Sequence, residues 1–218
     1  LSVGSYSICS GVNEVLQVGI KEVPEGLFST HANRSLREED IIMVAPPEGR
    51  FRYIPSPQGQ TLVGFAAGSG ITPIMSILKT ALLDHVDNRF HLVYGNKKPK
   101  ETMFYNELKD LEKEFKGRLS IQWIFSQANI KGSLFGRINS DIVKNALKYL
   151  EKNVNKFFIC GPERMIETVS NNLLDDGIDK TSILFELFSS SVKSEEIKGK
   201  TKSTLLEICL LYTSDAAD

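Results

Sequence analysis

The sequence predicts a molecule in two parts, antiparallel β structure over residues 1–57 and a doubly wound parallel α/β domain over residues 58–190. The first part shows alternating apolar positions and frequent turn residues, without helical periodicity of useful length. In the second part, continuous apolar runs alternate with amphipathic segments, as expected for strands covered by helices on both faces. A Gly-Ser-Gly turn joins the first of these strands to its helix, and such turns are typical of nucleotide-binding sheets.

Length and composition predict a cytoplasmic protein with two modest cores, since 218 residues carry 41% hydrophobic content. Lys and Arg number 26 against 27 Asp and Glu, so neither a nucleic-acid nor a membrane partner is indicated. The longest apolar runs are too short to span a bilayer, and no leader-like segment opens the chain. The three cysteines form no C-x-x-C pair, which argues against a disulfide framework and against a complete metal site within the chain.

The β part carries strand signals at residues 5–11, 15–23 and 41–44, separated by turns that contain Gly, Pro and Asn. These strands are too few to close a barrel. The sequence therefore predicts the C-terminal half of an antiparallel barrel, with its upstream strands missing.

The α/β part alternates four strands with four helices. The predicted strands are residues 61–66, 89–95, 119–125 and 156–160, and the predicted helices are residues 73–84, 101–116, 139–151 and 162–176. Ligands of such sheets lie beyond the carboxyl ends of the strands. Three of the four predicted strand ends carry glycine with small or polar residues, which allow a ligand to approach the backbone closely.

The loop after the first of these strands, Gly68-Ser69-Gly70, carries the clearest functional signal. Free backbone N–H groups at a helix N-terminus bind phosphate without a charged side chain. Pro73 stands where the dinucleotide fingerprint G-x-G-x-x-G has its third glycine, and the Lys-Ser/Thr pair of a P-loop is absent. The loop predicts a nucleotide pyrophosphate site, and a plain β-to-α turn is the alternative.

Four segments of the β part together resemble flavin-binding motifs of the ferredoxin–NADP reductase superfamily, in particular its oxygenase reductase components. Residues 6–10 resemble the R-x-Y-S motif, and residues 18–21 resemble the strand that follows the flavin diphosphate. Residues 26–29 resemble the G-x-x-S turn at that diphosphate, and residues 47–51 resemble the P-x-G-x-F segment of the barrel. The resemblance implies FAD contacts at Tyr6, Ser7, Ile8, Val18, Ile20, Lys21, Gly26, Leu27, Phe28 and Ser29.

The α/β part resembles the same superfamily at the pyrophosphate loop, at a C-G-P motif and at an E-x-F element. The resemblance implies NADPH or NADH contacts at Gly68, Ser69, Gly70, Ile71, Thr72, Pro73, Gly95, Asn96, Ser126, Gln127, Arg137, Cys160, Gly161, Pro162 and Met165. It also implies that hydride transfer is positioned by Ser7, Cys160, Glu186 and Phe188. As alternatives, Tyr6 is a strand-core residue, and Cys160 and Met165 only pack in the core.

Two positions depart from the family pattern. Gly4 occupies the place of the arginine in the R-x-Y-S motif, so one flavin phosphate contact is lost there. Gln127 follows Ser126 where NADPH-dependent members often have arginine, which leaves the choice between NADPH and NADH open. Basic residues that could replace this arginine are Lys97, Lys98, Lys131 and Arg137.

The end of the chain is predicted in three pieces. Residues 191–201 are polar and charged, as in a linker. Residues 202–208 read as the first strand of a missing 2Fe–2S ferredoxin domain, and residues 209–218 match the translation of a sequencing adapter and are predicted to be an artefact.

The resemblance implies a flavin-dependent reductase that passes electrons from NADPH or NADH through FAD to an oxygenase component. A 2Fe–2S cluster would take part only in the intact protein. Hydride chemistry belongs to the cofactors, so an acid–base pair is not required. Two alternatives stay open, a reductase that serves a haem or a separate ferredoxin, and a nucleotide-sensing module without turnover.

Overall fold

The structure is a computed structural model that describes residues 4–150, 154–188 and 206–211. The first part of the chain contains strand β1 (Leu16–Lys21) and helix α1 (Leu27–Arg34). An antiparallel bridge joins Ile8 to Val18, so the chain folds back on itself before β1. The buried side chain of Asn33 fastens α1 to β1, because its amide donates to the carbonyl of Ile20 at 3.4 Å.

A six-stranded parallel sheet forms the second part. Its strands are β2 (Thr61–Ala67), β3 (Arg89–Asn96), β4 (Leu119–Phe125), β5 (Leu134–Phe135), β6 (Lys156–Cys160) and β7 (Ile183–Glu186). The spatial order is β5-β4-β3-β2-β6-β7, with β2 in the middle. The chain therefore leaves β2 toward one edge and later returns to its other side, which creates a switch point beside β2.

Helices cover both faces of this sheet. The helices are α2 (Ile71–Asp84), α3 (Tyr105–Glu114), α4 (Ser140–Tyr149) and α5 (Glu163–Asp175). Apolar residues of α2 and α3 belong to one core cluster, and those of α4 and α5 belong to a second cluster on the opposite face. The α2 face is built by Ile71, Ile74 and Leu78, which follow helical spacing and are fully buried. Each such side chain contributes about 1.5–3 kcal/mol when it leaves water.

An aromatic group packs beside α3 on the first of these faces. The ring of Trp123 lies 4.8 Å from that of Tyr105 and 5.9 Å from that of Tyr94, measured between centroids. Phe125 stacks nearly parallel to Trp123 at 6.3 Å. The second half of β4 is thereby anchored to β3 and α3.

The predicted doubly wound sheet is confirmed, and the four predicted strands agree closely with the observed ones, whereas β5 and β7 were not predicted. The limits of β4 and β6 are those predicted, and the last three residues of β4 and the last four of β6 are buried in the sheet. Strand β2 extends one residue beyond its predicted range. Helix α2 begins at Ile71 rather than residue 73, which still leaves Pro73 in the first turn, where a missing backbone N–H costs little.

Three sequence predictions are wrong in detail. The helix predicted over residues 101–116 begins only at Tyr105, because a 3-10 turn occupies Pro99–Glu101 and Phe104, directly before the helix, adopts a left-handed backbone with φ 57°. Residues 41–44 form no strand, and the side chain of Ile41 is 96% exposed. Helix α1 lies in a part of the chain whose residue pattern predicted only β structure, although the resemblance implies a helix start at residues 26–29, where α1 begins.

A further strand, β8 (Leu206–Leu211), pairs with β1 in parallel, with Val18 opposite Ile208. Residues 206–208 of the strand predicted over residues 202–208 are thus observed as strand, residues 202–205 lie outside the described residues, and the strand continues to residue 211, across the boundary predicted at residue 209. The antiparallel pairing predicted for the first part is present as the Ile8–Val18 bridge, whereas the β1–β8 ladder is parallel. The predicted linker, residues 191–201, lies outside the described residues, as do residues 212–218.

Candidate functional site

The loop between β2 and α2 lies at the centre of the sheet's carboxyl edge. Residues Gly68–Gly70 form a 3-10 turn that runs directly into α2. Gly68 has φ 56°, a left-handed conformation that glycine adopts without strain, and a β-carbon there would meet open space. The hydroxyl of Thr72 donates to the carbonyl of Ser69 at 3.1 Å and so stabilises the turn.

Gly70 lies against the backbone of the neighbouring strand end. A β-carbon at this position would collide with the carbonyl oxygen of Cys160 and would lie 2.8 Å from the amide nitrogen of Gly161. The residue must therefore be glycine for the loop and the C-G-P segment to touch. This contact places two of the sequence motifs side by side.

Tyr94 on β3 fixes the other side of the loop. Its buried hydroxyl donates to the carbonyl of Gly68 at 3.0 Å, and burial raises its pKa well above the ordinary tyrosine value. The phenol thus stays protonated and keeps its hydrogen available for that carbonyl. This role was missed in the sequence, where Tyr94 reads only as part of an apolar run.

The end of β3 presents polar groups beside the loop. The backbone N–H of Ser126 donates to the carbonyl of Asn96, and that of Gln127 donates to the carbonyl of Lys97, each at 3.0 Å. The side-chain Nδ2 of Asn96 is buried and makes no hydrogen bond of full geometry within the described part of the chain, although it lies close enough to the Tyr94 hydroxyl to oppose part of the rise in the pKa of that tyrosine. An unsatisfied buried donor costs about 1–3 kcal/mol, so an acceptor on a ligand would be stabilising at this point.

Cys160, Glu186 and Ser7 come together from three different segments. Cys160 ends β6 and stands opposite Glu186 in the β6–β7 ladder, and the hydroxyl of Ser7 donates to Oε2 of Glu186 at 3.1 Å. Burial, with a smaller effect of the Glu186 charge, raises the pKa of the Cys160 thiol to about 12. The thiol is therefore neutral at physiological pH and acts as a small polar group rather than as a nucleophile.

Several predicted flavin residues of the first part lie at or near the start of α1. The ring of Tyr6 lies 5.3 Å from that of Phe28, and the side chain of Tyr6 is 37% exposed, so part of the side chain is open to a ligand. The hydroxyl of Ser29 lies 3.3 Å from both the amide nitrogen of Val23 and the carbonyl of Gly26, which fixes the start of α1. Such a helix start suits a diphosphate.

Lys21 joins the two parts at the far end of β1. Its ammonium donates to the carbonyl of Glu101 at 3.3 Å. Burial and the nearby Lys97 lower its pKa, while Glu101 raises it. An anionic ligand here would be favoured, since it would compensate a partly desolvated cation.

The remaining predicted residues divide into backbone and core positions. Ile20 and Ile71 are buried, so they could meet a ligand only through their backbone. Met165 lies in the second core cluster with its methyl group against Gly161, as the packing alternative predicts. Phe188 is 44% exposed at the end of the E-x-F element. Further predicted residues that are exposed or partly exposed are Val18, Leu27, Gly95, Lys97, Lys98, Lys131, Pro162 and Arg137.

The structure brings most of the predicted residues to one edge and adds contacts that the sequence did not signal. Gly19 on β1 lies against Thr72, Met103 and Phe104, since a β-carbon there would sit 2.9 Å from the Thr72 methyl group. Gly4, at the place of the motif's arginine, lies under the ring of Tyr6. Within the described ranges, His, Cys, Asp and Glu side chains form no group of three that could hold a metal ion. None of the described helices has the length and apolar character needed to cross a membrane.

Comparison with known proteins identifies an NAD-binding oxidoreductase domain and similar reductases. Residues 65–171 match the model of the oxidoreductase NAD-binding domain. The chain is 33% identical over 190 residues to one subunit of 1,2-phenylacetyl-CoA epoxidase from Escherichia coli, covering 85% of this chain and 53% of that protein. It is 29% identical over 192 residues to the ferredoxin reductase component of 3-ketosteroid-9-alpha-monooxygenase from Mycobacterium tuberculosis, covering 85% and 49%.

The fold is shared with a solved reductase structure. The CS–b5R domains of human Ncb5or in the NAD+ form superpose with a TM-score of 0.70 and 26% identity, over 85% of this chain and 55% of that one. The chain spans about half the length of the curated relatives that it matches. The chain thus contains an NAD-binding oxidoreductase domain, is similar in sequence to oxygenase reductase components, and shares its fold with structures of the ferredoxin–NADP reductase type.

Proposed function

We propose that the chain is the catalytic part of a flavoprotein reductase that takes electrons from NADPH or NADH through FAD. The observation that carries the proposal is the meeting of Ser7, Cys160 and Glu186 beside the Gly68–Gly70 loop. Ser7 comes from the proposed flavin part, residues 1–57, and the other two residues come from the proposed nucleotide part, residues 58–190. A hydride donor and its acceptor would meet at such a junction.

The nucleotide pyrophosphate would lie on the loop at the start of α2. Free backbone N–H groups and the positive end of the helix attract an anion there. The contact between Gly70 and the Cys160–Gly161 backbone fixes the distance from the pyrophosphate to the strand end where the nicotinamide would lie. The buried Nδ2 of Asn96 supports this fit, because an acceptor on the nucleotide would satisfy it.

FAD would lie between Tyr6, Lys21 and the start of α1. The exposed part of Tyr6 offers an aromatic surface, and the turn at Gly26 with the following N–H groups of α1 offers a site for the diphosphate. When bound, FAD supplies the chemistry of hydride acceptance and single-electron release. The chain itself supplies orientation, and the Ser7 hydroxyl and the neutral Cys160 thiol are its polar groups at the reacting end.

The electron acceptor is proposed to be an oxygenase component, with phenylacetyl-CoA epoxidase as the specific candidate. The named activities of the two relatives, an epoxidase and a monooxygenase with its reductase component, support this class of acceptor. In the intact protein, a 2Fe–2S domain would follow the proposed linker at residues 191–201. Residues 202–208 would begin that domain, and residues 209–218 are proposed not to belong to the natural protein.

The proposal is tested on the gene product that carries this chain, purified with FAD and given NADH or NADPH in turn. We expect oxidation of at least one of them with a dye acceptor. A preference for NADPH would require a basic residue other than the arginine absent at Gln127, and single alanine variants of Lys97, Lys98, Lys131 and Arg137 would then identify it. Nucleotide binding without oxidation would instead support a sensing module. Electron delivery to a haem or a separate ferredoxin, but not to an oxygenase, would reject the proposed acceptor.

Ser7→Ala tests the residues of the site. The substitution removes the hydroxyl that donates to Glu186, and we expect the rate constant of flavin reduction to fall about tenfold or more through lost orientation. Ser5→Ala is the matched control, because Ser5 is an exposed serine two residues earlier. Equal rate constants for the unaltered protein and Ser7→Ala would contradict the assignment of Ser7.

A further inference from the structure

A buried lysine joins the two proposed parts at a distance from the site. The side chain of Lys79, on α2, is only 9% exposed, and its ammonium lies 3.2 Å from a carboxylate oxygen of Glu14 and 2.6 Å from one of Glu107. Glu14 precedes β1 in the proposed flavin part, whereas Glu107 belongs to α3 in the nucleotide part. The three residues are called the Lys79 triad.

The triad holds the tip of a hairpin against α2. Glu14 also accepts from the backbone N–H of Gly11 at 2.8 Å, which closes the turn over residues 11–14. The backbone N–H of Val12 donates to the hydroxyl of Thr80 at 3.2 Å. A β-carbon at Gly11 would lie 2.9 Å from the β-carbon of Lys79, so the turn lies directly on the helix.

The same hairpin carries the proposed flavin residues at its other end. Its arms are joined by the Ile8–Val18 bridge and by the hydrogen bond from the N–H of Cys9 to the carbonyl of Gln17 at 2.9 Å. Beyond this bridge from the tip, Ser7 on the first arm donates a hydrogen bond to Glu186. Gly19 on the second arm packs against Thr72. A displacement of the tip therefore changes the position of Ser7 relative to the nucleotide loop.

We propose that the Lys79 triad is a positioning device that sets the flavin hairpin relative to the nucleotide domain. This inference rests on the proposed function. Two carboxylates around a mostly buried ammonium compensate its desolvation, and removal of the ammonium leaves two carboxylates facing each other without a cation. Lys79 touches neither proposed cofactor site, so it acts through the hairpin and not on the reacting atoms.

The test compares Lys79→Met with Lys113→Met in the gene product loaded with FAD. Lys113 also lies in an ion pair, with Asp110 on α3, but its side chain is 73% exposed, so its loss should be silent. For Lys79→Met we expect the rate constant of flavin reduction to fall about tenfold, since sub-ångström misplacement is costly to a hydride transfer, while the dissociation constant of NADPH or NADH stays within about twofold. Lys79→Arg, which keeps a cation between the carboxylates, should restore most of the rate.

Amide hydrogen exchange separates the triad from the reductase activity. In Lys79→Met we expect the amides of Cys9 and Val12 to exchange about tenfold faster, with the amide of Leu92 in β3 unchanged. If Leu92 also exchanges faster, Glu14→Gln decides the question, because it removes only the hairpin half of the triad and should free Cys9 and Val12 alone. The proposal would be overturned if the amides of Cys9 and Val12 exchanged at an unchanged rate in Lys79→Met, or in Glu14→Gln where that variant is needed. It would also be overturned if these amides exchanged faster while the rate constant of flavin reduction stayed the same.

If the unaltered protein oxidises neither nucleotide, the proposed function fails, and with it the positioning role. The exchange data would then still show whether Lys79 holds the hairpin.

Discussion

At the scale of single residues, the junction of the two parts depends on groups that remain uncharged. Cys160 has no exposed surface, and burial together with Glu186 raises its pKa to about 12. Tyr94 is likewise kept protonated by burial, which preserves its hydrogen bond to Gly68. A neutral thiol and a neutral phenol add shape and hydrogen bonding to the site without attracting ions of their own.

The neutrality of Cys160 predicts low reactivity. The reactivity of an ordinary thiol rises with pH up to its pKa, near 8.5, and then levels off. Because the raised pKa keeps most of Cys160 protonated, its labelling by iodoacetamide in the folded protein should be slow from about pH 7 to pH 10 and should still be rising at pH 10, without a plateau near pH 9. Mass spectrometry of the peptide that contains Cys160 measures this directly.

Labelling in urea is the positive control for Cys160, since unfolding exposes the thiol and returns its pKa to the ordinary value. Fast labelling of the native protein near pH 8 would show that the thiol is accessible, contrary to the structure.

At the scale of elements, the loop between β2 and α2 needs its two glycines for different reasons. Gly68 needs a left-handed backbone but has space beside it, whereas Gly70 has an ordinary backbone and no space. Gly68→Ala should therefore cost about 1–2 kcal/mol through backbone strain. Gly70→Ala must push the loop away from Cys160, and we expect a larger loss of stability and of nucleotide affinity.

Thermal unfolding and nucleotide titration of the two alanine variants distinguish these reasons. The pair forms its own control, because both add one methyl group to the same turn. An equal effect of both substitutions, or a larger effect of Gly68→Ala, would contradict the close contact between Gly70 and the Cys160 carbonyl.

The local sequence predicted the limits of helices and strands well where the apolar pattern of a segment matches the burial that the fold gives it. Strands β4 and β6 were predicted with their observed limits, because β6 is almost entirely apolar and β4 alternates apolar residues with Ser120 and Gln122 before an apolar end. The left-handed residue Phe104 was not predictable, since bulky residues rarely adopt that conformation and nothing in the local pattern marks it. Residues 41–44 have the composition of a strand but no partner strand among the described residues, and composition alone cannot supply one.

The sequence predicted the motifs of the site but not the hydrogen bonds and ion pairs that hold these motifs in place. The loop, the C-G-P motif and the E-x-F element each have a sequence signature. The hydrogen bond of Tyr94 to Gly68 joins residues 26 positions apart, and the contact of Lys79 with Glu14 joins residues 65 positions apart. Spacing rules apply within one element, so such contacts appear only when the chain is folded.

At the scale of the whole molecule, the segment before β2 is tied to the nucleotide domain by a polar contact and an aromatic one. The hydroxyl of Tyr53 donates to Asp84 at 2.7 Å and accepts from Asn88 at 2.9 Å, and the ring of Phe51 meets that of Phe158 edge-on at 5.6 Å. Burial, with help from Asp84, raises the pKa of Tyr53 to about 12, so these bonds persist at any ordinary pH.

Tyr53→Phe tests this connection. The ring remains, but the carboxylate of Asp84 and the amide of Asn88 each lose a partner, and we expect a loss of about 1–2 kcal/mol in the free energy of unfolding. Urea denaturation measures the change. Asp84→Asn keeps an acceptor oxygen for the phenol and should cost less, and an unchanged urea midpoint in Tyr53→Phe would contradict a stabilising role for the hydroxyl.

The aromatic group around Trp123 also gives the molecule an optical reporter. The sequence contains a single tryptophan, and its ring packs against Tyr94, the residue whose hydroxyl holds the Gly68 carbonyl. Indole emission overlaps the near-ultraviolet absorption of a reduced nicotinamide, so a nucleotide bound at this loop would quench the emission by energy transfer. The intrinsic fluorescence of one residue can therefore follow both the folding of the sheet and the filling of its carboxyl edge, without any added label.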